Sequence, residues 1–183
     1  MLFRSICGGQ LKIFVEPIMP KPRLLIVGGG HVGKEVAHLG QWLGFYVLVC
    51  DERTELCNSE TIPDADAFCY DYLEEIKEEI EITPWTYVVM TTRDSEVDLQ
   101  VLPHLLPKKT AYIGLIGSRR RWAITKEKLL GLGITKDEID FIRSPIGLQL
   151  NAETPREIAI SIMAEIIMVQ KHGNGKPMKN NGI

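Results

Sequence analysis

Apolar residues along the chain change period several times, and each change predicts a boundary between elements. Leu11 to Val15 follows the apolar and polar alternation of an edge strand, and Pro17, Pro20 and Pro22 then punctuate an extended connection. Leu24 to Val27 is a continuous apolar run. Val32, Val36, Leu39 and Leu43 follow at helical spacing, and Phe45 to Cys50 is a second apolar run, so the pattern predicts one βαβ unit. The alternation continues with an acidic helix around Leu73 to Ile80, a strand at Tyr87 to Thr91, a helix at about Glu96 to Leu106 and a strand at Ala111 to Ile116. Strands that are apolar throughout are covered on both faces. The expected fold is therefore α/β, a doubly wound parallel sheet.

Thr154, Pro155 and Glu157 spell a capping box with proline at the first helical position, opening a helix that runs to about Lys171. Glu157, Ser161 and Glu165 recur every four residues as a narrow polar stripe, expected to form a hydrated or hydrogen-bonded seam rather than a catalytic group. Ile158, Ile160, Ile162, Met163, Ile166, Ile167 and Met168 cover nearly everything else, which predicts a helix buried in the domain or shared with a second copy or another chain. Three segments result: a leader over 1–21, a nucleotide-binding type of domain over 22–172 and a disordered tail over 173–183 rich in Gly, Asn and Lys.

The 183 residues suit one domain with a real core. With 21 Lys and Arg against 24 Asp and Glu the net charge is −3, which leaves no global basic field for nucleic acid. Any anion site is local. The most apolar stretch, Ile158 to Val169, carries Ser161 and Glu165 and falls short of the roughly 20 residues a membrane helix needs. Without that or a secretory signal at the amino terminus, a cytoplasmic location is expected. Cys7, Cys50, Cys57 and Cys69 show neither zinc-ligand spacing nor a disulfide framework, so reduced thiols and no metal site are expected.

Gly28, Gly30 and Gly33 form G-x-G-x-x-G between a predicted strand and a predicted helix, where missing side chains let a phosphate approach backbone N–H groups. His31 and Val32 lie inside this fingerprint and complete the phosphate-loop candidates. Asp51 closes the second strand about 20 residues further on, where a carboxylate accepts hydrogen bonds from ribose hydroxyls. Arg53 lies where it can meet a 2′-phosphate instead, which leaves the choice between NAD and NADP open. Thr91, Thr92, Arg93, Asp94, Ser95 and Asp98 follow the fourth strand and should face the glycine loop across the switch point, Asp98 as a first-turn helix carboxylate rather than a catalytic base. Gly117, Ser118, Arg119 and Arg120 form a second candidate cluster. They sit at the carboxyl end of a strand, and a cationic helix start is disfavoured unless an anion compensates it.

These residues resemble the Rossmann, NAD(P)-binding type domain of the XdhC/CoxF accessory proteins. The resemblance rests on G-G-G-H-V-G (Gly28 to Gly33), G-F-x-V-x-V-x-D-x-R (Gly44 to Arg53) and A-Y-I-G-L-I-G-S-R-R (Ala111 to Arg120). It extends to P-I-G-L followed by T-P-x-E-I-A-x-S-I-x-A-E-I (Pro145 to Ile166). C-G-G-Q-L-K-I-F-V-E-P (Cys7 to Pro17) is similar to the end of the family's other, amino-terminal domain. Ser95 stands where the family often has histidine, and Arg121 where it often has lysine.

The resemblance implies a cofactor chaperone more than a catalyst. Such a protein binds molybdenum cofactor (molybdopterin or its dinucleotide) and supports its sulfuration by a cysteine desulfurase. It then helps insert the cofactor into xanthine dehydrogenase-type molybdenum hydroxylases. Expected partners are the hydroxylase subunits, the desulfurase, a separate chain carrying the amino-terminal family domain, and a second copy in a homodimer. The alternatives are an NAD(P)-dependent oxidoreductase and a nucleotide-sensing regulatory subunit.

Overall fold

A computed structural model describes residues 3–4, 10–16, 20–78 and 80–180. Two short strands, β1 (Phe3–Arg4) and β2 (Gln10–Leu11), pair antiparallel ahead of the main sheet. The edge strand expected over Leu11 to Val15 stops at Leu11: residues 12–16 have no regular structure and lie exposed. A strand needs a ladder partner, and among the described residues β1 offers Leu11 and Gln10 their partners and none beyond them. Cys7, Pro17 and the last three residues of the tail lie outside the described residues.

The main sheet contains β3 (Arg23–Val27), β4 (Tyr46–Cys50), β5 (Ala67–Cys69), β6 (Thr86–Met90), β7 (Tyr112–Leu115) and β8 (Ile142–Arg143). Its order is β5-β4-β3-β6-β7-β8 and every pairing is parallel. This is the doubly wound arrangement, in which the chain starts at the centre, builds to one edge and returns to build the other. The switch point falls between β3 and β6. Parallel neighbours require crossovers, and α1 (His31–Trp42), α2 (Tyr72–Glu78), α3 (Ser95–Leu105), α4 (Arg119–Gly131) and α5 (Lys136–Phe141) supply most of them. The last helix, α6 (Pro155–Gln170), packs along α1.

Alternate residues of each strand feed two separate cores. Leu24, Ile26, Val47 and Val49 pack with Val36 and Ala37 of α1 and Ile162 and Ile166 of α6. On the opposite face, Leu25, Val27, Val88 and Met90 pack with Ile76 of α2, Leu102 and Leu105 of α3 and Leu129 of α4. Burial on both faces is why these strands carry no polar alternation. In the ladder Val27 stands beside Cys50 and Met90, so Gly28, Asp51 and Thr91 leave the sheet from one level edge. Among the described residues no helix is long and apolar enough to cross a membrane.

Among the described residues the tail carries a 3-10 turn, Met178–Asn180, with Met178 and Lys179 exposed, where no structure is expected from its composition. The polar stripe on α6 is a hydrogen-bonded seam. Ser161 Oγ donates to Leu148 O at 2.5 Å, and Glu165 Oε2 accepts from Tyr112 Oη at 2.6 Å and from Gly147 N at 2.9 Å. Burial and the neighbouring Glu165 carboxylate push the Tyr112 phenol well above its ordinary value. Glu157 closes the capping box with Thr154.

Candidate functional site

The turn between β3 and α1 is held by three glycines that the fold itself requires. Gly28 has φ +113°, its N–H donates to Cys50 O at 2.8 Å, and its carbonyl accepts from Thr91 Oγ1 at 2.7 Å. A Cβ on Gly29 would stand 2.5 Å from Leu56 O, and one on Gly33 only 1.9 Å from Gly28 O. Gly30 differs. Its φ of −68° and ψ of −171° suit any residue, and a Cβ there would meet nothing within 4 Å. What its missing side chain leaves is open space at the amino end of α1.

That end is also bare. Asp94, Ser118, Thr135 and Thr154 cap α3, α4, α5 and α6 through their side chains, whereas the Gly30 cap of α1 makes no such bond and its first turn holds no acidic residue. The first N–H groups of α1, at His31, Val32 and Gly33, have no partner within the helix. A helix terminus in this condition favours an anion. His31 is exposed at this terminus.

Beside the loop lies a crevice of about 210 Å³ at the carboxyl edge of β3, β4 and β6, walled by Gly28, Asp51, Arg53, Thr92, Arg93 and Val97 among others. Asp51 is 4% exposed. Its Oδ1 accepts from Arg53 N at 3.0 Å and Arg53 Nε at 2.8 Å, and its Oδ2 from Gly29 N at 2.8 Å and Arg53 Nη2 at 2.7 Å. Burial works against the charged carboxylate, but the hydrogen bonds from Arg53 and Gly29 outweigh it and hold Asp51 below the usual carboxylate value. The thiol of Cys50, which also borders the crevice, is pushed far up by burial and by the nearby Cys69.

Thr92 borders the crevice with its hydroxyl turned inward, donating to Asp98 Oδ1 and accepting from Arg121 Nη2 at 3.1 Å. Asp98 is fully buried in the first turn of α3 and takes Arg121 Nη2 on Oδ2 at 2.5 Å, while Arg121 Nη1 reaches Thr92 O at 3.0 Å. Burial pushes the Asp98 carboxyl upward against the pull of Thr92 and Arg121. This network fastens α4 to α3 behind the crevice. Arg93 is exposed on the crevice wall and makes no ion pair among the described residues.

The expected site residues therefore divide. Gly28, Asp51, Arg53, Thr92 and Arg93 meet at one crevice, and Gly30, His31, Val32 and Gly33 form the helix terminus next to it. Gly117, Ser118, Arg119 and Arg120 do not line that crevice. They follow β7, two strands from β3, and Ser118 Oγ is occupied in capping α4 by accepting Arg121 N at 3.1 Å. Arg119 and Arg120 point into solvent. The inward residue of the run is Arg121, which sequence reasoning leaves out of the site. Asp94 lines the crevice as expected, whereas Glu52 and Val97 do so unannounced, because their places depend on where β4 and β6 end.

A family model described as the XdhC Rossmann domain matches residues 24–166. The chain is 36% identical over 159 residues to a probable xanthine dehydrogenase subunit of Bacillus subtilis, covering 87% of this chain and 46% of that one. Over 87 residues it is 32% identical to the molybdenum cofactor insertion chaperone PaoD of Escherichia coli, covering 48% of this chain and 27% of that protein. A crystal structure titled as a xanthine dehydrogenase from Bacillus halodurans superposes with a TM-score of 0.73 at 33% identity, covering 84% of this chain and 45% of its own. The chain spans less than half the length of the curated relatives it matches. With its glycine turn, strand order and matched span in agreement, the chain belongs to the XdhC family by its Rossmann domain.

Proposed function

We propose that this domain holds a phosphate-bearing cofactor at the crevice and serves as an accessory protein in the maturation of molybdenum hydroxylases. The cofactor is molybdenum cofactor, as molybdopterin or its dinucleotide, and the role is to support its sulfuration with a cysteine desulfurase and its insertion into a xanthine dehydrogenase-type enzyme. The observation that carries the reading is Gly30, a glycine that neither backbone strain nor packing demands, placed at an uncapped helix terminus. The names of the relatives from Bacillus subtilis and Escherichia coli support the hydroxylase and the insertion role. The residues fit the phosphate end of such a cofactor through Gly30 to Gly33 and the crevice wall. Among the described residues no three potential metal ligands stand together.

In this reading the chain orients and shelters its ligand. The bare N–H groups of α1 fix the phosphate, and Arg53 and Arg93 supply positive charge. A second reading, an NAD(P)-dependent oxidoreductase, is favoured by the G-x-G-x-x-G turn between β3 and α1. Native mass spectrometry of protein purified from a molybdenum-replete host separates them. A pterin or pterin-dinucleotide mass is the expected result. Bound NAD(H) or NADP(H) would establish the second reading instead, and a stable partner protein without either ligand would favour a regulatory subunit.

A further inference from the structure

A carboxylate that binds a ribose diol must keep lone pairs free for it, and Asp51 has none. A carboxylate offers about four acceptor positions. All are taken, two on each oxygen, by Gly29 N and by the backbone and guanidinium of Arg53. A diol entering here would have to displace a bidentate, charge-assisted pair from a nearly buried carboxylate and replace it with two neutral donors, an uphill exchange. The guanidinium is in the opposite condition. Of its five N–H groups, Asp51 takes one from Nε and one from Nη2, and the other three make no hydrogen bond among the described residues. Its side chain is 44% exposed and stands on the crevice wall.

Resting on the reading of the crevice as a cofactor site, we propose that Arg53, oriented by Asp51, is the receptor for a phosphate monoester at the β4 end of the crevice. The planar fork matches phosphate oxygens two at a time, and Asp51 fixes its plane before the ligand arrives. An incoming phosphate adds to the pair instead of breaking it. Arg93, which makes no ion pair among the described residues, adds a second cation on the same wall. The carboxylates facing this space are Asp51, neutralised by Arg53, Asp94, whose Oδ1 accepts Glu96 N at 2.9 Å as the α3 cap, and exposed Glu52. Two ligands carry such a group: a dinucleotide with a 2′-phosphate and a pterin with a terminal phosphate. Asp51 is then a positioning residue for Arg53, and the ribose contact expected of it from its place in the sequence passes to the arginine.

Titration calorimetry with two probe pairs tests this: NADPH against NADH, and the oxidised fluorescent pterin of molybdenum cofactor with and without its terminal phosphate. The parent is expected to favour the phosphorylated member of one pair by about tenfold or more, as for a hydrogen bond to a charged group. The pair that responds identifies the source. Arg53→Ala should erase the preference. Arg53→Lys, which keeps the charge and a partner for Asp51, should retain part of it and remains informative if Arg53→Ala fails to fold. Equal affinity within both pairs, a preference that survives in both variants, or tighter NADH binding by Arg53→Ala would overturn the proposal. Gly30→Val separates the two readings. If it abolishes binding while the Arg53 variants change nothing, the cofactor site stands and the role of Arg53 falls. If the parent binds none of the four probes, both fall.

Discussion

At the scale of single residues, the glycines of the β3–α1 turn answer to different demands and are expected to respond differently to substitution. A Cβ on Gly33 would lie inside the van der Waals radius of Gly28 O, which is backbone and has nowhere to go. Gly33→Ala is therefore expected to cost roughly 1–3 kcal/mol of stability, the range for overpacking. Gly30→Val, in open space and ordinary backbone, should remain within about 1 kcal/mol of the parent in urea denaturation. Equal losses at the two positions would refute the distinction on which the cofactor reading rests. The Asp51–Arg53 pair adds a pH dependence of definite sign. Folding lowers the Asp51 pKa below its ordinary 3.8, so the pair stabilises the fold above that value and its contribution disappears as pH falls through the folded-state pKa. Thermal melts between pH 5 and about 2.5 should fall less steeply for Arg53→Gln than for the parent, and parallel acid limbs would contradict this.

At the scale of elements, the weight of the R-R-R run falls on its last member. Removing the guanidinium in Arg121→Leu leaves the fully buried Asp98 carboxylate without its cation. The expected loss is about 3–5 kcal/mol, as for breaking a buried pair. Arg119→Ala and Arg120→Ala should change stability by about 0.5 kcal/mol at most. Denaturation of the three variants checks the ranking. It also shows what the sequence reveals and what it does not. Consecutive helical residues point about 100° apart, so one arginine must face inward, but which one depends on Asp98, an element away. The glycine loop, Asp51 and the strands β3, β4, β6 and β7 are legible because their signals are local: continuous apolar runs and punctuation at fixed spacing. β5 and β8, at three and two residues, are too short to show any period. Helix α5 is also missed, although Thr135 and Glu138 announce it with a capping box.

At the scale of the whole molecule, α6 decides how the surface behaves. Its periodicity predicts more apolar surface than one sheet can cover, because Ile160, Met163, Ile167 and Met168 do not share a single direction. The fold takes up part of it. Met163 is buried in the core with Ala159, Ile162 and Ile166, because α6 lies along α1 and meets the sheet as well. Ile160 and Ile167, seven residues apart and so on one helical face, remain outward at 53% and 39% exposure. Leu150, itself exposed, borders the same hollow as Ile160. In a two-fold contact through this stripe, any pairing an isoleucine makes with the second copy is returned by that copy, the self-complementary arrangement that a dimer axis imposes. The expected outcome is a dimer by light scattering, with Ile160→Glu and Ile167→Glu each shifting it to monomer. Circular dichroism should stay unchanged, since neither side chain belongs to a core cluster. A parent chain that remains monomeric at about 100 μM, an upper range for weak but specific association, would show that this stripe is ordinary surface.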